Sequence, residues 1–246
     1  MSQLIASRKI RDQQNAEKMA KVIRFLKQET YSDKTNLMLL LAYKDRAPLD
    51  RLLNKMIAFN YLRKEVFDFP TGKYSIWGIT SLGLAQFIDN DDEDYRAFEP
   101  SRMKFSTATH KLLNQKAYIY LQRNGWTNWQ NADQFSFRRK YETDNRPDAI
   151  INTQSNVTVA IETERTLKTA DRYRAIFKSH ILAKQKGYWE MVFYVVEDNK
   201  MQQALERRFD SVKYIPFDKS NHPFSEYRKN LVRVFTLDEL KLLKTK

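Results

Sequence analysis

The amino-acid sequence predicts an α+β chain of two units. The first is a set of three helices closed by a β-hairpin, and the second is an α/β domain with a mixed sheet. Three observations carry this expectation. Residues 1–88 show successive runs of helical periodicity before two strand-like segments, and residues 101–246 alternate helical and strand-like stretches. Between them, residues 89–100 read DNDDEDYRAFEP, an acidic run ending in proline and therefore a linker. Charge divides the same way: 15 basic against 8 acidic side chains over residues 1–88, one against six over 89–99, and 27 against 16 over 100–246.

In the first unit, Ala16 to Gln28 places Met19, Val22, Ile23 and Leu26 on one helical face. Ser32 is the expected N-cap of a second helix running through Met38 to Ala42. Asp45 to Pro48 reads as a turn, with Pro48 suited to the first turn of a third helix. That helix, Leu49 to Phe59, buries Leu49, Leu52, Leu53, Met56 and Ile57 and turns Arg51, Asn54 and Lys55 outward. Tyr61 to Phe67 and Tyr74 to Ile79 then form a hairpin with Pro70 and Gly72 at its tip, and a capped helix begins at Thr80.

In the second unit, His110 to Arg123 is helical, with Leu112, Leu113, Ala117 and Leu121 giving it an apolar side. Trp126 to Phe137, Arg146 to Ile151, Val157 to Glu164, Met191 to Val196 and Val212 to Pro216 read as strands. Ala170 to Lys186 is a helix burying Tyr173, Ile176, Phe177, Ile181 and Leu182, and Gly187 ends it.

The chemistry concentrates in Arg146 to Lys168, RPDAIINTQSNVTVAIETERTLK. Asp148 heads one strand, Glu162 and Glu164 end the next, and the polar residues Asn152 to Asn156 make the turn between them. Period-two alternation puts Val159 and Ile161 on one face, and Ala160, Glu162 and Glu164 on the other. The two glutamates are then roughly 7 Å apart along the strand. Three carboxylates on adjacent strands suit a hard divalent cation, Mg²⁺ or Mn²⁺, held against a phosphodiester. An edge hairpin with an acidic polar face has the same spacing. The surrounding cations Arg146, Arg165, Lys168, Arg172, Arg174 and Lys178 favour the phosphate reading.

Composition narrows the remaining classes. The chain has no cysteine, which removes disulfides, zinc–thiolate sites and cysteine nucleophiles and fits a reducing cytoplasm. No apolar run approaches the roughly 18 residues of a membrane span, and the N-terminus lacks the apolar core of a secretory signal. A soluble cytoplasmic protein is expected. There is no Gly-x-Ser-x-Gly elbow and no phosphate-binding G-x-x-x-x-G-K-[ST] loop. The net charge of +13 points to a polyanionic partner. Nucleic acid is favoured over an anionic membrane surface, because no helix carries a basic amphipathic stripe.

Three helices and a strand pair, with Asn-Tyr-Leu-Arg-Lys leading to Tyr-Ser-Ile-Trp-Gly-Ile-Thr-Ser-Leu-Gly (residues 60–64 and 74–83), resemble a winged-helix domain. That resemblance implies DNA contacts from Arg46, Arg51, Lys55 and Lys73. An αβββαβ core with Pro147-Asp148 on its second strand and Glu162-Thr163-Glu164 on its third resembles the PD-(D/E)XK restriction-endonuclease-like superfamily. The winged helix, a histidine on the first helix, Arg-Pro-Asp on a strand and Ile-Glu-x-Glu-Arg-x-x-Lys after it are more specifically similar to MOBC-type plasmid mobilisation relaxases and replication-relaxation proteins.

This resemblance implies a metal-dependent endonuclease that nicks one DNA strand at a plasmid transfer origin, with an accessory mobilisation protein and a type IV coupling protein as partners. Asp148 and Glu162 would hold the metal. Glu164 stands where the superfamily usually has lysine and would be a third ligand, passing the lysine role to Lys168 or Lys178. His110 would line the site, or else be an ordinary helix-terminal histidine. His180 reads as structural, and His222 falls in a polar loop. A histidine-cluster relaxase is excluded by inventory, since the three histidines are scattered. A double-strand endonuclease and a DNA-binding protein with an inactive nuclease fold are the alternatives.

Overall fold

The computed structural model describes residues 2–69, 72–86, 95–218 and 220–243, with the side chains of residues 2–8 left aside. Pro70 at the expected hairpin tip and the first half of the acidic connector, residues 89–94, lie outside them. The fold is α+β, with a mixed sheet in its second half. The chain divides into two compact units, Met1–Leu112 and Leu113–Lys246. Among the described residues, no helix is long and apolar enough to cross a membrane.

In the first unit, α1 (Ser2–Glu29) extends well N-terminal of its expected start. Apolar periodicity marked only the part that packs, where Val22, Ile23, Phe25 and Leu26 are buried; the polar turns before it are rich in good helix formers. Thr30, at φ 66°, turns the chain into β1 (Tyr31–Asp33), a short strand the sequence did not advertise. Ser32 is buried within that strand, so the expected cap moves by one residue. The Asp33 carboxylate accepts the Asn36 N–H at 2.8 Å and starts α2 (Lys34–Leu41).

Helix α3 (Arg46–Ala58) begins at the expected turn, and Pro48 is its third residue, where an N–H has no intrahelical partner anyway. Leu49, Leu52, Leu53 and Met56 are buried and Arg51, Asn54 and Lys55 exposed, as the periodicity requires; Ile57 is half-buried instead. Strands β2 (Leu62–Phe69) and β3 (Gly72–Ile79) pair antiparallel in the expected hairpin, and β1 adds to the other edge of β3.

The Thr80 hydroxyl accepts the Gly83 N–H at 3.0 Å and caps α4 (Ser81–Ala85). A Cβ at Gly83 would lie 2.2 Å from the Tyr61 carbonyl oxygen, so this turn requires glycine. Past the acidic run, Phe98 donates its N–H to Ile79 and packs with Tyr31, Ile76, Ala108 and Leu112. Residues 101–112, expected with the second unit, therefore fall with the first, and the division lies within α5 (Phe105–Arg123).

In the second unit, β4 (Thr127–Asn131) is followed by α6 (Phe135–Lys140), where one continuous strand was expected. The Ala132 N–H bonds the Asp148 carbonyl and closes the ladder, after which the chain coils to bury Phe137. Next come β5 (Ala149–Asn152), β6 (Thr158–Thr163), α7 (Ala170–Gln185) and β7 (Met191–Val196). Helix α8 (Asn199–Asp210), the β8–β9 hairpin (Tyr214–Phe217 and Ser220–Pro223), α9 (Ser225–Leu231), β10 (Val232–Thr236) and α10 (Leu237–Lys241) complete it.

The sheet order is β10-β7-β6-β5-β4. Strands β10, β7 and β6 run parallel, and β5 and β4 are antiparallel to their neighbours. One core packs Ile150, Ala160, Val192 and Tyr194 of the sheet against Tyr173, Ile176 and Phe177 of α7 and Phe209 of α8. Burying these large apolar side chains stabilises the unit by roughly 1.5–3 kcal/mol each.

Candidate active site

Strand β6 is the middle strand of its sheet, and both glutamates lie at its C-terminal end. Its antiparallel register with β5 pairs Ala149 with Ile161, so one further step sets Asp148 opposite Glu162. The Asp148 N–H donates to the Ile161 carbonyl at 2.9 Å and continues that ladder. Its carboxylate accepts two bonds through Oδ2, from the Thr163 N–H at 2.6 Å and the Thr163 hydroxyl at 2.7 Å. The acid that heads β5 is thereby tied to the end of β6.

Glu162 and Glu164 both turn toward α7, on the face they share with Ala160. Oε1 of Glu162 lies 3.0 Å from His180 Nε2. Burial pushes the pKa of this fully enclosed ring down to about 3, so it is neutral at ordinary pH. A neutral ring beside a carboxylate donates through Nε2–H, leaving Nδ1 as an acceptor, and Nδ1 has no partner among the described residues.

Glu164 lies one residue past β6, where its N–H continues the parallel ladder to Val195 at 2.9 Å. Its Oε2 accepts the Tyr173 hydroxyl at 2.9 Å and pairs with Lys168 Nζ. The Lys168 N–H donates to the Tyr173 oxygen at 3.3 Å, so Glu164, Lys168 and Tyr173 form a closed set. The Lys168 side chain is 34% exposed, so its charge reaches the surface from a buried carboxylate.

Tyr194 lies on β7, beside the end of β6. Its register partner across β6–β7 is Glu162. The hydroxyl is fully buried and has no hydrogen-bond partner among the described residues. Burial raises its pKa well above the ordinary phenol value, and the charges of Glu162, Glu164 and Asp148 add to the rise. Tyr173 is shifted the same way, by burial first and Glu164 after it. Both rings are held as neutral phenols, the wrong protonation state for an attacking oxygen.

The donor set is chemically suited to a hard cation: carboxylate oxygens with a buried hydroxyl in reach of their charge. Among the described residues, however, no three His, Asp or Glu side chains are grouped as a ready metal cage. Thr163 holds Asp148, His180 holds Glu162, and Lys168 with Tyr173 holds Glu164.

Asp148 and Glu162 thus stand opposite each other at one end of the sheet, with Glu164 two residues on and Lys168 paired to it. His110 belongs to the first unit, where it is half-buried in α5. His180, read from the sequence as structural, meets Glu162. Its signal was available, since Tyr173 and His180 are seven residues apart on α7 and share a face. Lys178, the other candidate for the lysine role, pairs with Asp218 at 3.2 Å and leans on Phe217 of the β8–β9 hairpin. Arg46, Arg51, Lys55 and Lys73 are all exposed in the first unit, with Lys55 over the Phe59 ring. Comparison of the chain with family models, curated proteins and solved structures found no match in any of the three.

Proposed function

We propose that this chain is a metal-dependent DNA endonuclease that nicks one strand, at a plasmid transfer origin as its sequence resemblance implies. The observation that carries the reading is the β5–β6 register, which sets Asp148 opposite Glu162 at the end of a middle strand, with Glu164 two residues on and on the same face. Element order supports it. The first unit runs helix, strand, helix, helix, strand, strand with a β1-β3-β2 sheet, the plan of a winged helix. From α5 on, the order is β4, α6, β5, β6, α7 and β7, which apart from the short α6 between the first two strands is the αβββαβ plan of PD-(D/E)XK nucleases.

In this reading Asp148, Glu162 and Glu164 would hold Mg²⁺ or Mn²⁺. Such an ion supplies Lewis acidity toward a phosphoryl oxygen and activation of water. The chain's own groups do the rest. Thr163 fixes the Asp148 carboxylate with two donors, and the His180 N–H fixes that of Glu162. Orientation of this kind, one shell outward from the ligands, typically matters by ~10- to 100-fold in activity. Lys168 stands beside Glu164 with its charge at the surface, suited to hold a phosphate oxygen. In this reading water is the attacking group, and the Tyr173 hydroxyl serves to hold Glu164.

The test is cleavage of supercoiled plasmid carrying a candidate transfer origin, with Mg²⁺ or Mn²⁺ added. Nicked circles are expected from the wild type, while D148A and E162A should lose on the order of 100-fold or more in rate and still shift the DNA on a gel. Linear product would make the enzyme a double-strand endonuclease. One feature favours a second reading, a DNA-binding protein with an inactive nuclease-type fold: each carboxylate already has its own partner, Glu164 a cationic one. Undiminished binding with no cleavage by the wild type would establish that alternative.

A further inference from the structure

Helix α6 reads FSFRRK. Positions two apart on a helix point to nearly opposite sides, so its two phenylalanines have different surroundings. Phe137 is fully buried, with its ring 4.6 Å from that of Tyr141, and anchors the helix. Phe135 is 59% exposed. One turn on, Arg139 holds its guanidinium 5.8 Å from the Phe135 ring centroid. Arg138, Arg139 and Lys140 are all exposed, flanked along the chain by exposed Asp133 and Glu142. A single exposed apolar side chain needs no explanation. An exposed aromatic ring under a guanidinium, beside two further cations, is a different surface: it offers a π-face and positive charge together.

Its location matters as much as its chemistry. The Ala132 N–H bonds the Asp148 carbonyl at 3.0 Å, and Arg146 Nη1 bonds the Ala132 carbonyl at 3.2 Å. The chain leaving β4 is therefore tied to the backbone of Asp148. Phe135 follows Ala132 by three residues. An extended chain spans at most ~3.6 Å per residue, which keeps the Phe135 Cα within about 11 Å of that tie.

We infer that Phe135, backed by Arg139, is a stacking platform for a base of single-stranded DNA beside the acidic site. The cations of α6 take the phosphates and the ring takes the base. Every base has a π-face, so such a platform is tolerant of sequence. In a duplex the faces are already stacked on one another, so the ring discriminates for a separated strand. The inference rests on the nucleic-acid part of the proposed function and deepens it, by naming the form in which the strand reaches the acids. It does not depend on cleavage.

The test is fluorescence anisotropy of full-length protein in metal-free buffer with chelator. The probes are a short labelled single strand of mixed sequence and the same strand annealed to its complement. F135A should weaken single-strand binding by about 5- to 100-fold and duplex binding by less than about twofold, and F135Y should restore the difference. Thermal melting of F135A should match the wild type, since the ring is exposed. Equal losses on both probes, no loss on either, or a wild type that ignores the single strand would overturn the inference. A wild type that binds and discriminates yet never cleaves would instead overturn the nuclease reading and leave this surface standing.

Discussion

Substituting His180 by glutamine removes a fully buried titratable ring but keeps an N–H donor for the Glu162 carboxylate. Burial holds the folded pKa at about 3, against 6.5 for the free side chain. Below pH 6.5 the unfolded chain takes up a proton that the folded chain refuses until about pH 3. The unfolded state then binds more protons, so stability rises with pH across that window. The stabilisation belonging to the neutral ring is complete above pH 6.5 and falls as pH drops toward 3. Each pH unit inside the window corresponds to about 1.4 kcal/mol, so the wild type should lose about 2 kcal/mol between pH 7 and pH 5 through this residue alone. Urea unfolding at the two pH values and constant ionic strength measures it. Carboxylate effects are shared by both proteins, so H180Q should be flatter than the wild type by about 2 kcal/mol. Equal slopes would refute the argument. A wild type that gains relative to H180Q on acidification would show that Glu162, 3.0 Å away, holds an imidazolium in spite of burial.

Other perturbations probe other parts of the molecule. Tyr194→Phe removes a buried hydroxyl with no hydrogen-bond partner among the described residues; it should raise the melting temperature in metal-free buffer, by a stabilisation on the order of 1 kcal/mol. Gly83→Ala should destabilise the first unit by roughly 1–3 kcal/mol in thermal melting, because the added carbon meets the Tyr61 carbonyl. Replacing Arg51 and Lys55 together by alanine should weaken duplex binding on all sequences alike. It should also make the plot of log affinity against log salt shallower by about 1 for each phosphate no longer neutralised. Binding isotherms at several salt concentrations check this, and an unchanged slope would remove α3 from the DNA surface.

Much of the fold was legible because periodicity reports burial. The packed part of α1, the inward face of α3 and the buried side of α7 carry an apolar period that matches their element, and the β2–β3 hairpin was marked by Pro70 and Gly72 between its strands. What escaped lacked that mark. Strand β1 is three residues long, and its partner β3 is distant in sequence. The run from Trp126 to Phe137 is rich in aromatic residues but has no period of two, and its second half coils, because the ladder to β5 ends at Ala132. The acids were legible because period two places Glu162 and Glu164 on one face. Of their neighbours, His180 was marked only by its place on the buried side of α7, and Thr163 and Tyr194 were not marked at all. Thr163 acts through its backbone as much as its side chain, and the other two depend on how α7 and β7 lie against β6.

The position of the acids on a middle strand has a consequence for length variation. A single residue removed from or added to β6 reverses the facing of everything beyond the change. Glu162 and Glu164 would then swing to the side now occupied by Val159 and Ile161, and Asp148 would lose both donors of Thr163. The surface turn that precedes it, Thr153 to Asn156, is under no such constraint, since extra residues there leave the ladder in step. Insertions tolerated in the turn and ruinous a few residues later would trace, along the chain, the boundary between what merely connects and what aims the chemistry.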